Sequence, residues 1–241
     1  MRILKVIAIL PVILIEIIFA CLASLPSIIS GAFAIVRVWY FREYDYCVWL
    51  KRDLADCESI LELGCGANSP ILQIGYGRKT DAVDIWQPYV DMHKRMKNYC
   101  EIQEGDILGM EFGYKIFDAV VICDVLEHLP REEVSRFKLF EKIENAAIKK
   151  VILFTPNGFI ENDEADGDPF QAHLSAWDPE DYTSRGYKVV GATGFWWLFG
   201  KSSRPKYHPY PVCEIIGMIS KPIVFNKPAW ARHSYAVKEV S

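Results

Sequence analysis

Four groups of residues in this chain have types and spacing that suit chemistry. The first is Ile60-Leu61-Glu62-Leu63-Gly64-Cys65-Gly66-Ala67-Asn68, an apolar run ending in an acid and a G-x-G turn. Glycines let the backbone turn tightly and let a ligand approach the main chain. A dinucleotide fingerprint would carry a third glycine at position 69, where this chain has Ser69. Glu62 also argues against a pyrophosphate, which its carboxylate would repel, and favours a cation or an ammonium group. The second group is Asp84-Ile85, 18 residues beyond Gly66, where an acid can accept hydrogen bonds from ribose hydroxyls. The third, Gly105-Asp106-Ile107, sets a carboxylate acceptor for an amino group beside an apolar wall. The fourth is Cys123-Asp124-Val125-Leu126-Glu127-His128-Leu129-Pro130, at the end of an apolar run. Open α/β sheets bind ligands at such carboxyl ends.

The elements that must position these groups alternate. Strands are predicted at 59–63, 80–85, 117–123 and 150–154, with a short one before Gly105. Helices are predicted at 42–56, around 92–98, and over 131–147, where Val134, Phe137, Phe140 and Ile143 recur at helical spacing. That alternation implies a parallel, doubly covered sheet. Residues 158–169 carry Asp/Gly turn signals and read as a loop that suits a lid. Two further strands, 186–192 and 233–240, flank an aromatic and Pro-rich excursion from Phe195 to Pro228.

As a set, these motifs resemble the class I S-adenosylmethionine-dependent methyltransferases, particularly the small-molecule type with an L-E-L-G-C-G motif and a D-x-L-E-H-L segment. The resemblance runs from about Glu58 to Val240. It implies a Rossmann-like, doubly wound, seven-stranded α/β sheet, mostly parallel, with a C-terminal antiparallel strand pair. It implies S-adenosyl-L-methionine as cofactor and S-adenosyl-L-homocysteine as product. Carried over by position, Glu62, Gly64 and Gly66, with Cys65 between them, would line the methionine part. Asp84, followed by Ile85, would hold the ribose. Asp106 and Ile107 would frame the adenine, and Cys123 and Asp124 would close the floor. A narrower resemblance joins Thr155-Pro156-Asn157-Gly158 to Gln171-Ala172-His173-Leu174-Ser175-Ala176-Trp177. It is to an uncharacterised methyltransferase subgroup with T-P-N-G and N-P-x-Q-x-H-x-S-x-W segments, in which Asp168 here replaces Asn. Methyl transfer is an in-line displacement, so the protein mainly aligns the partners and removes a proton where the acceptor needs it. His173 and His128 are the candidate bases, against plainer readings as a loop anchor and a helix-start residue.

Outside this domain the composition changes. Residues 1–41 hold four charged side chains, Arg2, Lys5, Glu16 and Arg37, in a chain of 241. About 20 apolar residues cross a bilayer, and from Val6 to Val36 the only charge is Glu16. Within lipid Glu16 would cost roughly 2.5–3.5 kcal/mol, so it is expected protonated, paired or near an interface. Basic residues flank the run, and Trp39, Tyr40, Phe41, Tyr44, Tyr46 and Trp49 follow it, as at a membrane boundary. A single span, a hairpin turning near Pro26 and a segment packed on the domain all fit; a cleaved signal peptide is disfavoured by Glu16. The expected organisation is a membrane-associating hydrophobic helical leader, 1–41, and a methyltransferase domain, 42–241, on the cytoplasmic side. A formal net charge of −4 argues against a nucleic-acid partner. Seven cysteines without a C-x-x-C make a disulfide framework or a metal site unexpected. The expected acceptor is a small or lipid-linked molecule at the membrane surface. A non-catalytic cofactor-binding or scaffold protein is the alternative, and oligomeric state is left open.

Overall fold

The computed structural model describes residues 42–162, 167–201 and 204–240. The leader and its run 6–36 lie outside them. Among the described residues no helix is long and apolar enough to cross a membrane.

Seven strands form one sheet in the order β3-β2-β1-β4-β5-β7-β6. They are β1 (Ile60–Leu63), β2 (Thr80–Asp84), β3 (Glu101–Glu104), β4 (Phe117–Cys123), β5 (Ala147–Pro156), β6 (Lys188–Phe195) and β7 (Ala231–Glu239). The first five are parallel, and β7 enters antiparallel between β5 and β6. This is the predicted Rossmann-like α/β sheet with its antiparallel pair.

Side-chain alternation along the strands builds two cores. On one face Leu61, Leu63, Val120, Ile122, Val151 and Leu153 meet Leu139, Phe140, Ile143 and Trp177. On the other, Ile60, Ala119, Val121, Cys123, Ile152 and Phe154 meet Trp49 and Leu50 of helix α1 (Tyr46–Asp53) and Leu54, which caps it. Asp45 caps α1 by accepting from Cys47 N at 2.8 Å. Burying each such large apolar side chain contributes about 1.5–3 kcal/mol.

Two predicted elements differ. The helix expected over 131–147 is two helices, Arg131–Arg136 and Leu139–Ala146, because Lys138 takes a left-handed conformation with φ 53°. The continuous apolar spacing conceals that break. The excursion from Phe195 to Pro228 contains a helix of 16 residues, Tyr210–Phe225. Its prolines read as breakers, yet Pro209 is the cap, Pro211 lies in the first turn, where an N–H has no intrahelical partner, and Pro222 is accommodated inside the helix, in its last turn. Gly191 and Gly194 let this helix rest on the backbone of β6. A Cβ at Gly191 would overlap the Val224 carbonyl and the Ala231 side chain. Gly191→Ala should therefore cost roughly 1–3 kcal/mol through overpacking, measured by urea unfolding, while the equilibrium slope m stays unchanged.

Candidate active site

The glycine turn is held from both sides. Gly64 and Gly66 have φ of 73° and 55°, the left-handed region that favours glycine. A Cβ at Gly64 would overlap Val125, whereas one at Gly66 would meet nothing within 4 Å. Gly66 N donates to Asp84 Oδ2 at 2.7 Å, and Trp86 N donates to Asp84 Oδ1 at 2.9 Å. One carboxylate thus fastens the end of β2 to the turn after β1. From the far side, His93 Nε2 donates to the Gly66 carbonyl at 2.7 Å, and Asn98 donates to His93 Nδ1 at 2.8 Å. His93 and Asn98 carry no motif, so sequence reasoning missed them.

Three of the residues expected at the cofactor lie behind the turn. Glu62 is buried, with Ser69 Oγ 2.7 Å and Tyr99 OH 2.8 Å from its carboxylate. Ser69 also caps the next helix, accepting from Leu72 N at 3.2 Å. The residue that departs from a dinucleotide fingerprint is therefore the tie between Glu62 and that helix. Burial raises Glu62 to about 7, against the opposing pull of the Ser69 and Tyr99 hydroxyls. Cys65 packs against Ala82, Val90, Tyr99 and Ile102, and Cys123 turns into the core beneath α1. The alternation of β1 and β4 sends Glu62 and Cys123 away from the open side.

The other seven, Gly64, Gly66, Asp84, Ile85, Asp106, Ile107 and Asp124, line one crevice at the carboxyl ends of the strands. Tyr89, Leu129, Phe170 and Gln171 complete it. Phe170 meets Trp86 edge-on at 6.2 Å, so the loop after β5 covers the opening. Four carboxylates border the crevice, Asp84, Asp106, Asp124 and Asp168, and no lysine or arginine is among its described lining residues. This set of acceptors fits a hydroxyl-rich, cationic ligand without phosphate. Ile85 and Ile107 supply apolar walls, and the open space at Gly66 admits a ligand to the backbone.

A second cavity adjoins the first and shares Asp124, His128 and Gln171 with it. Glu127, His173, Arg232 and His233 also line it. Leu174 N and Ser175 N donate to the Glu127 carbonyl at 2.7 and 3.0 Å. Ser175 Oγ and Trp177 Nε1 donate to the Leu126 carbonyl at 3.1 and 3.0 Å. These bonds bring the His128 and His173 rings to 4.8 Å, edge to face. Opposite, Asn157 donates to the Pro228 and Ala231 carbonyls, both at 2.8 Å, and accepts from Ser234 Oγ at 2.6 Å. That fixes the start of β7, which carries Arg232 and His233. The T-P-N-G and H-x-S-x-W segments thus serve as fasteners around the cavity, with His173 the member exposed to it.

Burial, then the neighbouring His128, holds His173 down to about 4; burial also lowers His128. Burial and the Arg232 guanidinium hold His233 at about 3. All three rings are neutral at physiological pH. Burial and the Asp124 charge push Glu127 well above the carboxylate range. Among the described residues, ligand atoms of Glu127, His128 and His173 lie within 4.8 Å of one another. The cysteine count gives no hint of this cluster, which contains none.

Residues 61–149 match the methyltransferase domain family. That stretch carries the crevice except for its 168–171 cover. Among curated proteins, none matches the chain. DhpI in its SAH complex is 15% identical, with 84% of this chain and 87% of that one covered and a TM-score of 0.51. The N-methyltransferase NodS of Bradyrhizobium japonicum WM9 is 12% identical, covering 83% and 94%, with a TM-score of 0.51. TehB of Haemophilus influenzae is 12% identical, covering 81% and 61%, with a TM-score of 0.50. These likenesses establish the fold. Domain match and fold together support methyl transfer dependent on S-adenosyl-L-methionine.

A carboxyl group raised on folding favours the folded state below its ordinary range, and that advantage is lost as pH rises through its folded value. For Glu62 the loss falls between the ordinary carboxylate range and about 7. From pH 5 to 8 the parent should lose about 2 kcal/mol more unfolding free energy than Glu62→Gln, in urea titrations at each pH.

Proposed function

We propose that this methyltransferase domain transfers the S-adenosyl-L-methionine methyl group to a small, polar-headed acceptor, amphiphilic or lipid-linked, at the cytoplasmic surface of a membrane. One observation carries the reading: a crevice bordered by carboxylates, with no lysine or arginine among its described lining residues, adjoins a second, polar cavity with which it shares Asp124, His128 and Gln171. A cationic donor in the first faces an acceptor in the second.

When bound, the cofactor supplies an electrophilic methyl group on a sulfonium. Asp84 and Asp106 accept from its hydroxyl and amino groups, and Ile85 and Ile107 flank its base. In the second cavity Arg232 has a buried Nε with no hydrogen-bond partner. It is the group to take a carbonyl or anionic oxygen of the acceptor. His173 and His128, both neutral, are placed to receive a proton from an acceptor hydroxyl or amine. The T-P-N-G and Q-x-H-x-S-x-W segments support assignment to the uncharacterised subgroup that carries them.

The membrane part of the reading draws on residues 6–36 and on the surface beside them. Tyr44 and Trp49, just after the leader, pack on Phe225 of the 210–225 helix at 5.9 and 5.2 Å. Around that helix Trp196, Tyr207, Tyr210, Ile223 and Trp230 are exposed. Lys206 lies over Trp196 and Lys227 over Trp230. Aromatic and lysine side chains so mixed suit a membrane interface.

The test incubates full chain with isotopically labelled donor and a membrane-lipid or metabolite extract, then seeks labelled methyl by mass spectrometry. A labelled product in the lipid fraction is expected. Asp84→Ala should weaken S-adenosylhomocysteine at least tenfold. Arg232→Ala should cut turnover at least tenfold while leaving that affinity within twofold. Binding of S-adenosylhomocysteine without product in any fraction would make the chain a non-catalytic binding module.

A further inference from the structure

We propose that Glu127, His128 and His173 form a binding site for one divalent transition-metal ion, of the kind that takes two imidazoles and a carboxylate. Ligand atoms of the three lie within 4.8 Å of one another. Bonds of about 2.0–2.2 Å place two ligands of one ion roughly 3–4.2 Å apart, so the widest pair must close by about 0.6–1.8 Å, within reach of side-chain rotation. All three line the same cavity.

The second observation is independent of that clustering. Glu127 is 3% exposed, and its Oε2 has no hydrogen-bond partner; the buried Nδ1 of His173 has none either. A buried carboxylate oxygen and a buried imidazole nitrogen each cost free energy when unsatisfied. A cation between them satisfies both at once. His128 is prepared in the same sense. Its Nδ1 lies 3.1 Å from the Ala172 carbonyl, which can only accept, so Nδ1 carries the hydrogen. The neutral ring then keeps its lone pair on Nε2. Metal-bound histidines commonly donate their other nitrogen to a backbone carbonyl in this way.

The backbone is fixed where the ligands need it. Glu127 and His128 sit in the short turn Leu126–His128, and the loop carrying His173 is bonded to that turn through Leu174, Ser175 and Trp177. The remaining charges facing the cavity are Asp124 and Arg232. Two imidazoles and one carboxylate suit Zn²⁺, Fe²⁺ or Mn²⁺ rather than Mg²⁺ or Ca²⁺, which prefer oxygen. Three protein ligands leave positions for an oxygen of whatever enters the cavity, and an ion there takes the lone pairs that His128 and His173 offer a proton in its absence.

The experiment needs neither methyl donor nor acceptor, so its outcome is separate from that of the transfer reaction. The untagged full chain, stripped by chelator, is titrated with Co²⁺ while visible d–d absorption is read, and with Zn²⁺ by calorimetry. Expected are one ion per chain and a visible band displaced by Zn²⁺. Glu127→Gln and His173→Ala should each weaken Zn²⁺ at least tenfold, and the exposed control His208→Ala should leave it unchanged. Retained S-adenosylhomocysteine affinity reports that each variant is folded. Absence of Co²⁺ and Zn²⁺ uptake by the parent would overturn the site, whatever the variants do. Equal Zn²⁺ affinity in the parent and in folded Glu127→Gln and His173→Ala chains would overturn it too.

Discussion

The structure depends on one carboxylate. Asp84 ends β2 and accepts from Gly66 N and Trp86 N, so a single side chain sets the distance between two strand ends and the path of the turn between them. Hydrogen bonds to a charged acceptor are stronger than neutral ones, and this one sits almost fully buried. The same group borders the crevice. Bracing and binding therefore share an atom set. The turn is shaped before a ligand arrives, which lowers the ordering cost of binding.

Much of the fold and part of the site were legible from residues alone. Strand alternation and the G-x-G turn announce the sheet because burial on two faces leaves a periodic imprint in Val, Ile and Leu. Asp84, Asp106 and Asp124 were legible as crevice-lining positions because each ends or follows an apolar strand pattern. Glu62 misled because its type suggests a ligand contact, whereas the pleat sends it inward, to Ser69 and Tyr99. Pattern does not convey which way a strand residue faces until the neighbouring strands are placed. His93, Asn98 and Tyr99 brace the turn through contacts between distant positions, and nothing in their local sequence marks them. The helix 210–225 was hidden by its prolines, two at its start, where they are compatible with helix, and Pro222 inside its last turn.

The two cavities differ in how they are built. The crevice is made by the ends of parallel strands, and its chemistry sits on short turns that the sheet itself sets. The adjoining polar cavity is made by a loop fastened sideways, through Leu126 and Glu127 carbonyls on one flank and Asn157 on the other. Sheet-set turns are shared widely among methyltransferase folds, and the matched stretch 61–149 covers them. The fastened loop and β7 lie beyond it. The polar cavity proposed for the acceptor is therefore built in part from 157–162, 167–177 and 231–234, outside the matched stretch.

Strand β7 lies inside the sheet, between β5 and β6, and brings Arg232 and His233 to the polar cavity. Synthesis proceeds from the other end. The first crevice can close largely on contacts among residues made early, but the cavity beside it has no arginine until β7 pairs with β5, whose other edge already holds β4, and with β6, which has no other strand partner. During that interval β5 offers a bare hydrogen-bonding edge, the kind on which chains stick to one another. Late insertion thus makes the half of the molecule that carries the polar cavity also the half whose sheet edge stays open longest while the chain is born.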